Sequence, residues 1–207
     1  MAGPRLVETQ SGVLLIGGSS HAGKSTVAAH LGRLLGWPVA ATDTLARHPG
    51  RPWRQGVRDV PAHVADHYLA SDDEARLTSV LDHYQRLWPV IEGVVRAAID
   101  APAPEGLVFE GSAIWPPAVA RMDRPEVSAI WLTAEDDVFQ TRIHAKSGYQ
   151  AADPPGRRMI DAFVERTRRF NRAMMIEVAR LGLTSLDVGS HSPDQVAALC
   201  LARACRP

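Results

Sequence analysis

The sequence predicts an α/β protein with three layers, in which helices cover both faces of a five-stranded, mainly parallel sheet. Short apolar runs alternate along the chain with longer segments whose apolar residues recur every three or four positions, the pattern of alternating strands and helices. The first run, residues 13–16, is unbroken and ends at Gly17-Gly18, as expected for a strand buried on both faces. A chain of 207 residues is expected to form one domain, residues 1–207.

Each predicted strand is a short apolar run that stops at a glycine or at polar residues. The predicted strands are residues 13–16, 38–42, 107–109, 127–132 and 183–188. Between the second strand and the next helix, residues 47–61 combine prolines and glycines with arginines, which predicts a loop.

Several of the predicted helices begin at a capping residue or end at glycine or proline. Gly36 and Gly182 stop two of them, and Ser71-Asp72-Asp73-Glu74 is a capping box before a long apolar stripe that contains Pro89. The predicted helices are residues 24–35, 71–100, 134–146, 159–181 and 193–203.

The composition argues against several classes of protein. The 23 basic and 23 acidic side chains cancel, so no net field would attract nucleic acid or an anionic membrane. No apolar run approaches the ~20 residues that span a bilayer, and the N-terminal segment has no signal-peptide core. Cys200 and Cys205 fit neither a disulfide framework nor a metal cluster, which favours a reducing compartment. The expected location is therefore cytoplasmic.

One segment carries a specific chemical signal. Gly18-Ser19-Ser20-His21-Ala22-Gly23-Lys24-Ser25 matches the phosphate-binding pattern G-x-x-x-x-G-K-[ST] at every fixed position, a match expected by chance in roughly 1% of such chains. Its glycines let main-chain N–H groups approach phosphate oxygens, and the following helix directs its positive dipole end to the same point. Lys24 is expected to reach the β- and γ-phosphates, and Ser25 to bind Mg²⁺. The segment from Gly18 to Thr26 is therefore interpreted as a nucleotide-binding loop.

Two other classes of protein with such a loop are disfavoured. A GTPase needs the guanine-reading sequence Asn-Lys-x-Asp and a downstream Asp-x-x-Gly at the end of a strand, and neither occurs here. Large motor and AAA-type ATPases need a longer chain and usually more than the single strand-end carboxylate of Phe109-Glu110.

The remaining pattern resembles the small P-loop kinases, a group that includes nucleoside monophosphate, shikimate and gluconate kinases and chloramphenicol phosphotransferase. The resemblance lies in the phosphate-binding loop, in Thr42-Asp43 after the second strand, and in the arginine-bearing segments 141–146 and 166–172. Residues 165–172 are also similar to 2-phosphoglycerate kinase-like proteins. Neither the Asp-Gly-x-Pro-Arg of adenylate kinases nor a shikimate-binding set is present, so the resemblance does not name an acceptor.

The resemblance implies a P-loop NTPase fold, ATP and Mg²⁺ as cofactors, and a lid segment at about residues 146–158. In this group a carboxylate after the second strand often faces the acceptor hydroxyl, a position that Asp43 has here. Asp43 is therefore expected to orient or deprotonate the acceptor. The alternative is that Asp43 caps a short helix at residues 44–47.

An acceptor-binding region is expected within about residues 44–104. Arginine forks bind carboxylate or phosphate, and an exposed indole offers a stacking face, so the loop after Asp43 suggests a pocket for an anionic small molecule. The residues assigned to it are Arg47, His48, Arg51, Trp53 and Arg54. Arginine-rich surface loops without such a role are the alternative.

Glu110 is interpreted as a contact to a substrate hydroxyl or, through water, to Mg²⁺; capping the next turn is equally open.

The predicted function is transfer of the γ-phosphoryl group of ATP to a hydroxyl of a small, anionic molecule. Lys24, Asp43 and Arg142 are the candidate catalytic residues, with Lys146 one helical turn after Arg142. The arginines at 166, 168, 169 and 172 are expected on a solvated face, with one or two reaching phosphate.

The alternative function is a nucleotide-hydrolysing or nucleotide-sensing ATPase that acts through a protein partner. Neither a membrane nor nucleic acid is expected as a partner, and a homodimer stays open.

Overall fold

The computed structural model describes residues 12–46, 48–53, 59–101 and 106–204, and these residues form a five-stranded sheet. Its strands are β1 (Val13–Gly18), β2 (Val39–Ala41), β3 (Leu107–Glu110), β4 (Val127–Thr133) and β5 (Ser185–Asp187). Their order is β2-β3-β1-β4-β5, and every pair is parallel. The carboxyl ends of all five strands therefore meet at one edge.

Helices cover both faces of this sheet, which confirms the predicted three-layer α/β architecture. They are α1 (Lys24–Leu35), α2 (Ala62–Ala70), α3 (Asp73–Ile99), α4 (Pro116–Ala120), α5 (Asp136–Ser147), α6 (Pro154–Arg180) and α7 (Pro193–Ala204). Short 3-10 turns occur at Thr42–Thr44 and Tyr149–Ala151. None of the described helices is both long enough and apolar enough to cross a membrane.

Strand β1 lies at the centre of the sheet, because an unbroken apolar run suits a strand that is covered on both faces. All six of its residues are buried, and it pairs with β3 on one side and β4 on the other. Leu14 and Ile16 belong to one hydrophobic cluster, whereas Val13 and Leu15 belong to the other. The sheet thus separates two cores and presents the glycine-rich end of β1 at its carboxyl edge.

Helix α6 packs against both cores. Ile160 and Phe163 lie in the cluster that also contains residues of α1, α5 and α7. Phe170 and Met174, farther along the same apolar stripe, lie in the cluster formed with α3 and α4. The middle of α6 is consequently held between the two cores.

Some element bounds differ from the prediction. Helix α2 was missed because it buries only Val64 and Tyr68, and α4 because it is five residues long and begins with two prolines. Helix α6 begins earlier than residue 159, since Asp153 caps it by accepting a hydrogen bond from the Gly156 N–H and prolines fit in its first turn. The cap of α3 is Asp72, which accepts from the Ala75 N–H at 2.7 Å, and β5 is shorter than predicted at both ends.

Candidate active site

The loop between β1 and α1 has the backbone shape of an anion-binding concavity. Gly18 and Gly23 have φ values of 144° and 89°, and His21 between them has a φ of 64°. Helix α1 begins at Lys24, so its unpaired N–H groups and its positive dipole end face the loop. A Cβ added at Gly18 would lie 2.7 Å from the Leu132 carbonyl oxygen, which requires glycine at that position.

Hydrogen bonds to neighbouring helices hold this loop in place. Ser19 is buried, and its Oγ donates to the Thr167 carbonyl of α6 at 3.0 Å. Arg142 of α5 donates from Nη1 to the His21 carbonyl at 3.1 Å, and the Ala22 N–H donates to the Ser19 carbonyl. These contacts pre-organise the loop, which lowers the entropic cost of binding a ligand there.

Lys24 lies inside the loop. Its side chain is 8% exposed, and Nζ donates to the Ser19 carbonyl at 2.8 Å. Burial lowers the pKa of Lys24, while the carboxylates of Glu110 and Asp43 act in the opposite direction and Arg51 adds to the lowering. A buried ammonium group held by a carbonyl is well placed to neutralise a phosphate, because an anion would relieve its desolvation.

Ser25 and Glu110 form a pair of oxygen donors beside the loop. Ser25 Oγ donates to Glu110 Oε1 at 2.7 Å, and Glu110, at the end of β3, is 6% exposed. Mg²⁺ prefers hydroxyl, carboxylate and water oxygens, so this pair fits the ion that the sequence implies. This contact with Ser25 differs from the alternative role of Glu110, which was to cap the next turn.

A cavity of about 240 Å³ opens next to the loop, at the carboxyl ends of β1, β2 and β3. It brings together residues that are far apart in the sequence. The predicted site residues that line it include Lys24, Ser25, Asp43, His48, Arg51 and Glu110. Sequence reasoning did not assign several of the other lining residues to a site, among them Tyr84, Ser112 and Phe163, and it did not single out Arg166 from its neighbouring arginines.

Asp43 lies in the 3-10 turn that directly follows β2, and its side chain is exposed toward this cavity. The residue at the N-cap of that turn is Ala41, and the helix at residues 44–47 that Asp43 would alternatively cap extends beyond the described residues at Arg47. The turn packs closely on the end of β3, since a Cβ added at Gly111 would lie 1.8 Å from Thr42 Oγ1. This close approach fixes where Asp43 enters the cavity.

Arg166 of α6 is a second buried cation in the lining of the cavity, besides Lys24. It is 6% exposed, and its guanidinium carbon lies 4.6 Å from the Phe163 ring centroid and 5.5 Å from that of Tyr68. Nη1 donates to the His48 carbonyl at 3.4 Å. Within the described residues, no salt bridge joins Arg166 to a carboxylate. A buried guanidinium in this setting is suited to an anionic ligand.

The other arginines of residues 166–172 contact α5 or their own helix. Arg168 donates to the Asp136 carbonyl of α5, Arg172 pairs with Asp136 Oδ2, and Arg169 pairs with Glu165 of its own helix. They form the solvated, ion-paired face expected from the sequence.

A second cavity, of about 300 Å³, lies on the other side of the loop. Its wall is mostly apolar and includes Val188, which follows β5, and Pro193 and Val196 of α7. His21 and Arg142 border it, and His21 also borders the first cavity.

Trp53 is not the exposed stacking face that the sequence suggested. It is 7% exposed and packs against Phe163, with ring centroids 4.9 Å apart. That part of the prediction was wrong, because an indole in a proline-rich loop can be buried by residues that are distant in sequence. Arg47 and Arg54, also assigned to the acceptor pocket, lie outside the described residues.

Three histidines, His48, His67 and His83, form a cluster next to the cavity. The His48 ring lies 5.5 Å from His67 and 5.0 Å from His83, and Nε2 of His48 lies 3.1 Å from Ser79 Oγ. Burial lowers the pKa of His48 to about 4, and the neighbouring histidines and arginines add to this effect. Burial also lowers the pKa of His67 and of His83. Across the described ranges, no group of three or more His, Cys, Asp or Glu side chains is arranged to hold a metal ion.

The segment expected as a lid, residues 146–158, is largely ordered into short helical turns. It comprises the end of α5, the turn at Tyr149–Ala151 and the first turn of α6. Tyr149 stacks on His144, with ring centroids 3.8 Å apart and planes within 5° of parallel.

Comparison with solved structures identifies the fold. Shikimate kinase from Acinetobacter baumannii, solved in complex with shikimate, matches with a TM-score of 0.52 and 12% identity over 96% of this chain and 97% of that chain. This chain has the fold of shikimate kinase. A protein of uncharacterised function from Eubacterium ventriosum matches with a TM-score of 0.52 and 12% identity over 94% of this chain and 99% of that one. The resemblance to the small P-loop kinases is thereby confirmed at the level of the fold. No protein-family model and no curated protein sequence matches this chain.

Proposed function

We propose that this chain is an ATP-dependent phosphotransferase that moves the γ-phosphoryl group to a hydroxyl of a small anionic molecule. One arrangement supports the proposal: the phosphate-binding loop, the Asp43 carboxylate and the buried Arg166 guanidinium line the same cavity. A carboxylate and a buried guanidinium beside the loop would together suit an acceptor that carries both a hydroxyl and an anionic group. We treat residues 1–207 as one kinase domain, with the acceptor bound by residues 44–104 together with Arg166.

On the nucleotide side, the main chain of residues 18–26 would surround the β- and γ-phosphates, with Lys24 neutralising their charge. The apolar second cavity, between Arg142 and Pro193, suits a nucleoside. We assign ATP in preference to GTP because the sequence lacks Asn-Lys-x-Asp.

Ser25 and Glu110 would hold Mg²⁺, Ser25 through its hydroxyl and Glu110 through a water molecule. When bound, the ion supplies positive charge to the phosphate oxygens. The near-complete burial of Glu110 keeps its carboxylate directed at Ser25.

On the acceptor side, Arg166 would bind a carboxylate or phosphate of the acceptor, with Arg51 at the exposed rim of the cavity. Asp43 would orient the acceptor hydroxyl and take its proton as the phosphoryl group is transferred. Burial strengthens the contact to Arg166, because charges interact more strongly where water is excluded.

During transfer, Lys24 and Arg142 would stabilise the negative charge on the moving phosphoryl group. Residues 146–158 would close over the nucleotide and exclude water, which prevents hydrolysis. The hydrogen bond from Arg142 to the His21 carbonyl places its guanidinium at the loop before any ligand binds.

The test is ADP release from Mg-ATP in the presence of hydroxy acids and of sugar and polyol phosphates, with ³¹P NMR of the products. At least one anionic hydroxy compound is expected to stimulate release and to become phosphorylated. Arg166→Lys is expected to raise the KM for that acceptor by about tenfold or more and to leave the KM for ATP unchanged, because an ammonium group cannot form the bidentate fork.

The matched control is Arg180→Lys, an exposed residue of the same helix, which is expected to behave as the wild type. A hydrolysis rate that no acceptor changes, but that a protein partner raises, would instead support a nucleotide-hydrolysing switch. An acceptor KM unaffected by Arg166→Lys would remove Arg166 from the acceptor site.

A further inference from the structure

His21 has a strained backbone between the two cavities. Its φ of 64° is rare for a residue with a side chain, and only Asp123 shares a positive φ among the non-glycine residues that the structure describes. Glycine would adopt this conformation without strain. A strained backbone persists only where the surrounding structure holds it, and such residues cluster at functional sites. The surroundings of His21 show what holds it.

The imidazole of His21 packs on aromatic residues of the acceptor side. Its ring centroid lies 5.9 Å from that of Trp53 and 5.8 Å from that of Phe163, which it meets edge-on. The Arg166 guanidinium lies over the ring of Phe163. A chain of contacts therefore runs from His21 in the phosphate-binding loop, through Phe163, to Arg166.

The backbone of His21, by contrast, belongs to the nucleotide side. Its carbonyl accepts the hydrogen bond from Arg142, and the residue borders both cavities. A phosphate bound in the loop would attract the Arg142 guanidinium away from the His21 carbonyl, because an anion is the stronger acceptor. Loss of that hydrogen bond would let the backbone of His21 relax, and its ring would then shift against Trp53.

Packing on Trp53 and Phe163 holds this ring in position. Nδ1 of His21 is buried and has no hydrogen-bond partner among the described residues. Burial lowers the pKa of His21 to about 4, and the cations Arg51, Lys24, Lys146 and Arg142 contribute to the lowering. The ring is therefore uncharged at neutral pH and packs on the indole as an aromatic group.

We propose that His21 is a positioning residue that couples occupancy of the phosphate-binding loop to the placement of Trp53, Phe163 and Arg166. This inference rests on the proposed function and adds how the two sides of the site communicate. The acceptor side reaches its binding arrangement when a nucleotide triphosphate fills the loop. Occupancy by the phosphoryl donor then strengthens acceptor binding, and by linkage the acceptor strengthens binding of the donor.

Trp53 provides the readout, because indole emission responds to movement of its surroundings. A non-hydrolysable ATP analogue with Mg²⁺ is expected to change the tryptophan emission of the wild type, and Trp53→Phe is expected to remove that change. His21→Gly relieves the strain and deletes the ring, so it is expected to bind the analogue at least as tightly in calorimetry, with loss of most of the emission change. The matched control is His63→Ala, an exposed histidine of α2, which is expected to respond as the wild type.

The outcomes separate this inference from the proposed function. Analogue binding without a Trp53 emission change, or a change that persists in His21→Gly, would overturn the coupling and leave the kinase assignment intact. No analogue binding by the wild type in calorimetry would overturn the proposed function and the coupling with it. If circular dichroism shows that His21→Gly is unfolded, His21→Asn replaces it, since asparagine tolerates a positive φ and has no aromatic ring.

Discussion

Ser25 Oγ donates a 2.7 Å hydrogen bond to Glu110 Oε1, and this contact joins the first turn of α1 to the end of β3. The two residues differ in environment, because Ser25 is exposed toward the cavity whereas Glu110 is almost fully buried. A buried carboxylate beside an accessible hydroxyl can hold a divalent cation without moving either chain segment.

Replacing Glu110 with Gln should therefore raise the Mg²⁺ concentration needed for ATP binding by about tenfold or more, because the side chain keeps its size and loses its charge. Calorimetric titration of a non-hydrolysable ATP analogue at several Mg²⁺ concentrations measures the effect. Glu126→Gln, an exposed position before β4, is the control. An unchanged Mg²⁺ requirement would leave Glu110 with a structural role only.

Replacing Lys24 with Ala should weaken ATP binding by ~10²-fold, because a charge-assisted hydrogen bond contributes up to ~3 kcal/mol. The melting temperature should not fall much, since the buried ammonium group is costly to desolvate. Lys24→Met, which keeps the volume of the side chain, separates loss of charge from loss of packing. ATP affinity at the wild-type level in either variant would contradict the assignment of the loop.

Replacing Asp43 with Asn should lower turnover by ~10²-fold or more and change ATP affinity little, because the amide cannot accept the acceptor's proton. Steady-state kinetics with the identified acceptor, together with calorimetry for ATP, distinguishes the two effects. Asp66→Asn, on an exposed face of α2, serves as the comparison. If Asp43→Asn keeps the turnover of the wild type, Asp43 has no catalytic role and only shapes the turn after β2.

Acid should destabilise the fold between about pH 6.5 and pH 4. Burial lowers the pKa of His21 and of His48 from 6.5 to about 4, so in this range the unfolded chain binds more protons than the folded chain. Unfolding is then favoured progressively as the pH falls. Thermal melts at several pH values should show a shallower acid loss for His48→Gln than for His63→Gln, whose ring is exposed. Parallel profiles for the two variants would mean that the histidine cluster does not contribute.

The sheet and the glycine-rich turn between β1 and α1 could be predicted from the sequence because both are local signals. Residues 13–26 contain the buried strand, the glycines and the start of α1 within one short segment. The proximity of Asp43 and Glu110 could also be predicted, since each lies at the end of a predicted strand and parallel strands end at a common edge.

The buried role of Arg166 was harder to predict because four arginines lie close together in this part of the sequence. A signal was nevertheless present: Arg166 comes three residues after Phe163 and four before Phe170, on the core-facing stripe of α6. The burial of Trp53 had no comparable signal. It depends on His21 and Phe163, which only the folded chain brings together.

Helix α6 contributes to both cores, carries Arg166, and receives the hydrogen bond from Ser19 at Thr167. A substitution that disturbs either core can therefore displace the loop between β1 and α1. In a mutational scan, inactivating substitutions should be dispersed through both interiors, with sites such as Met174 as intolerant as those that line the cavity.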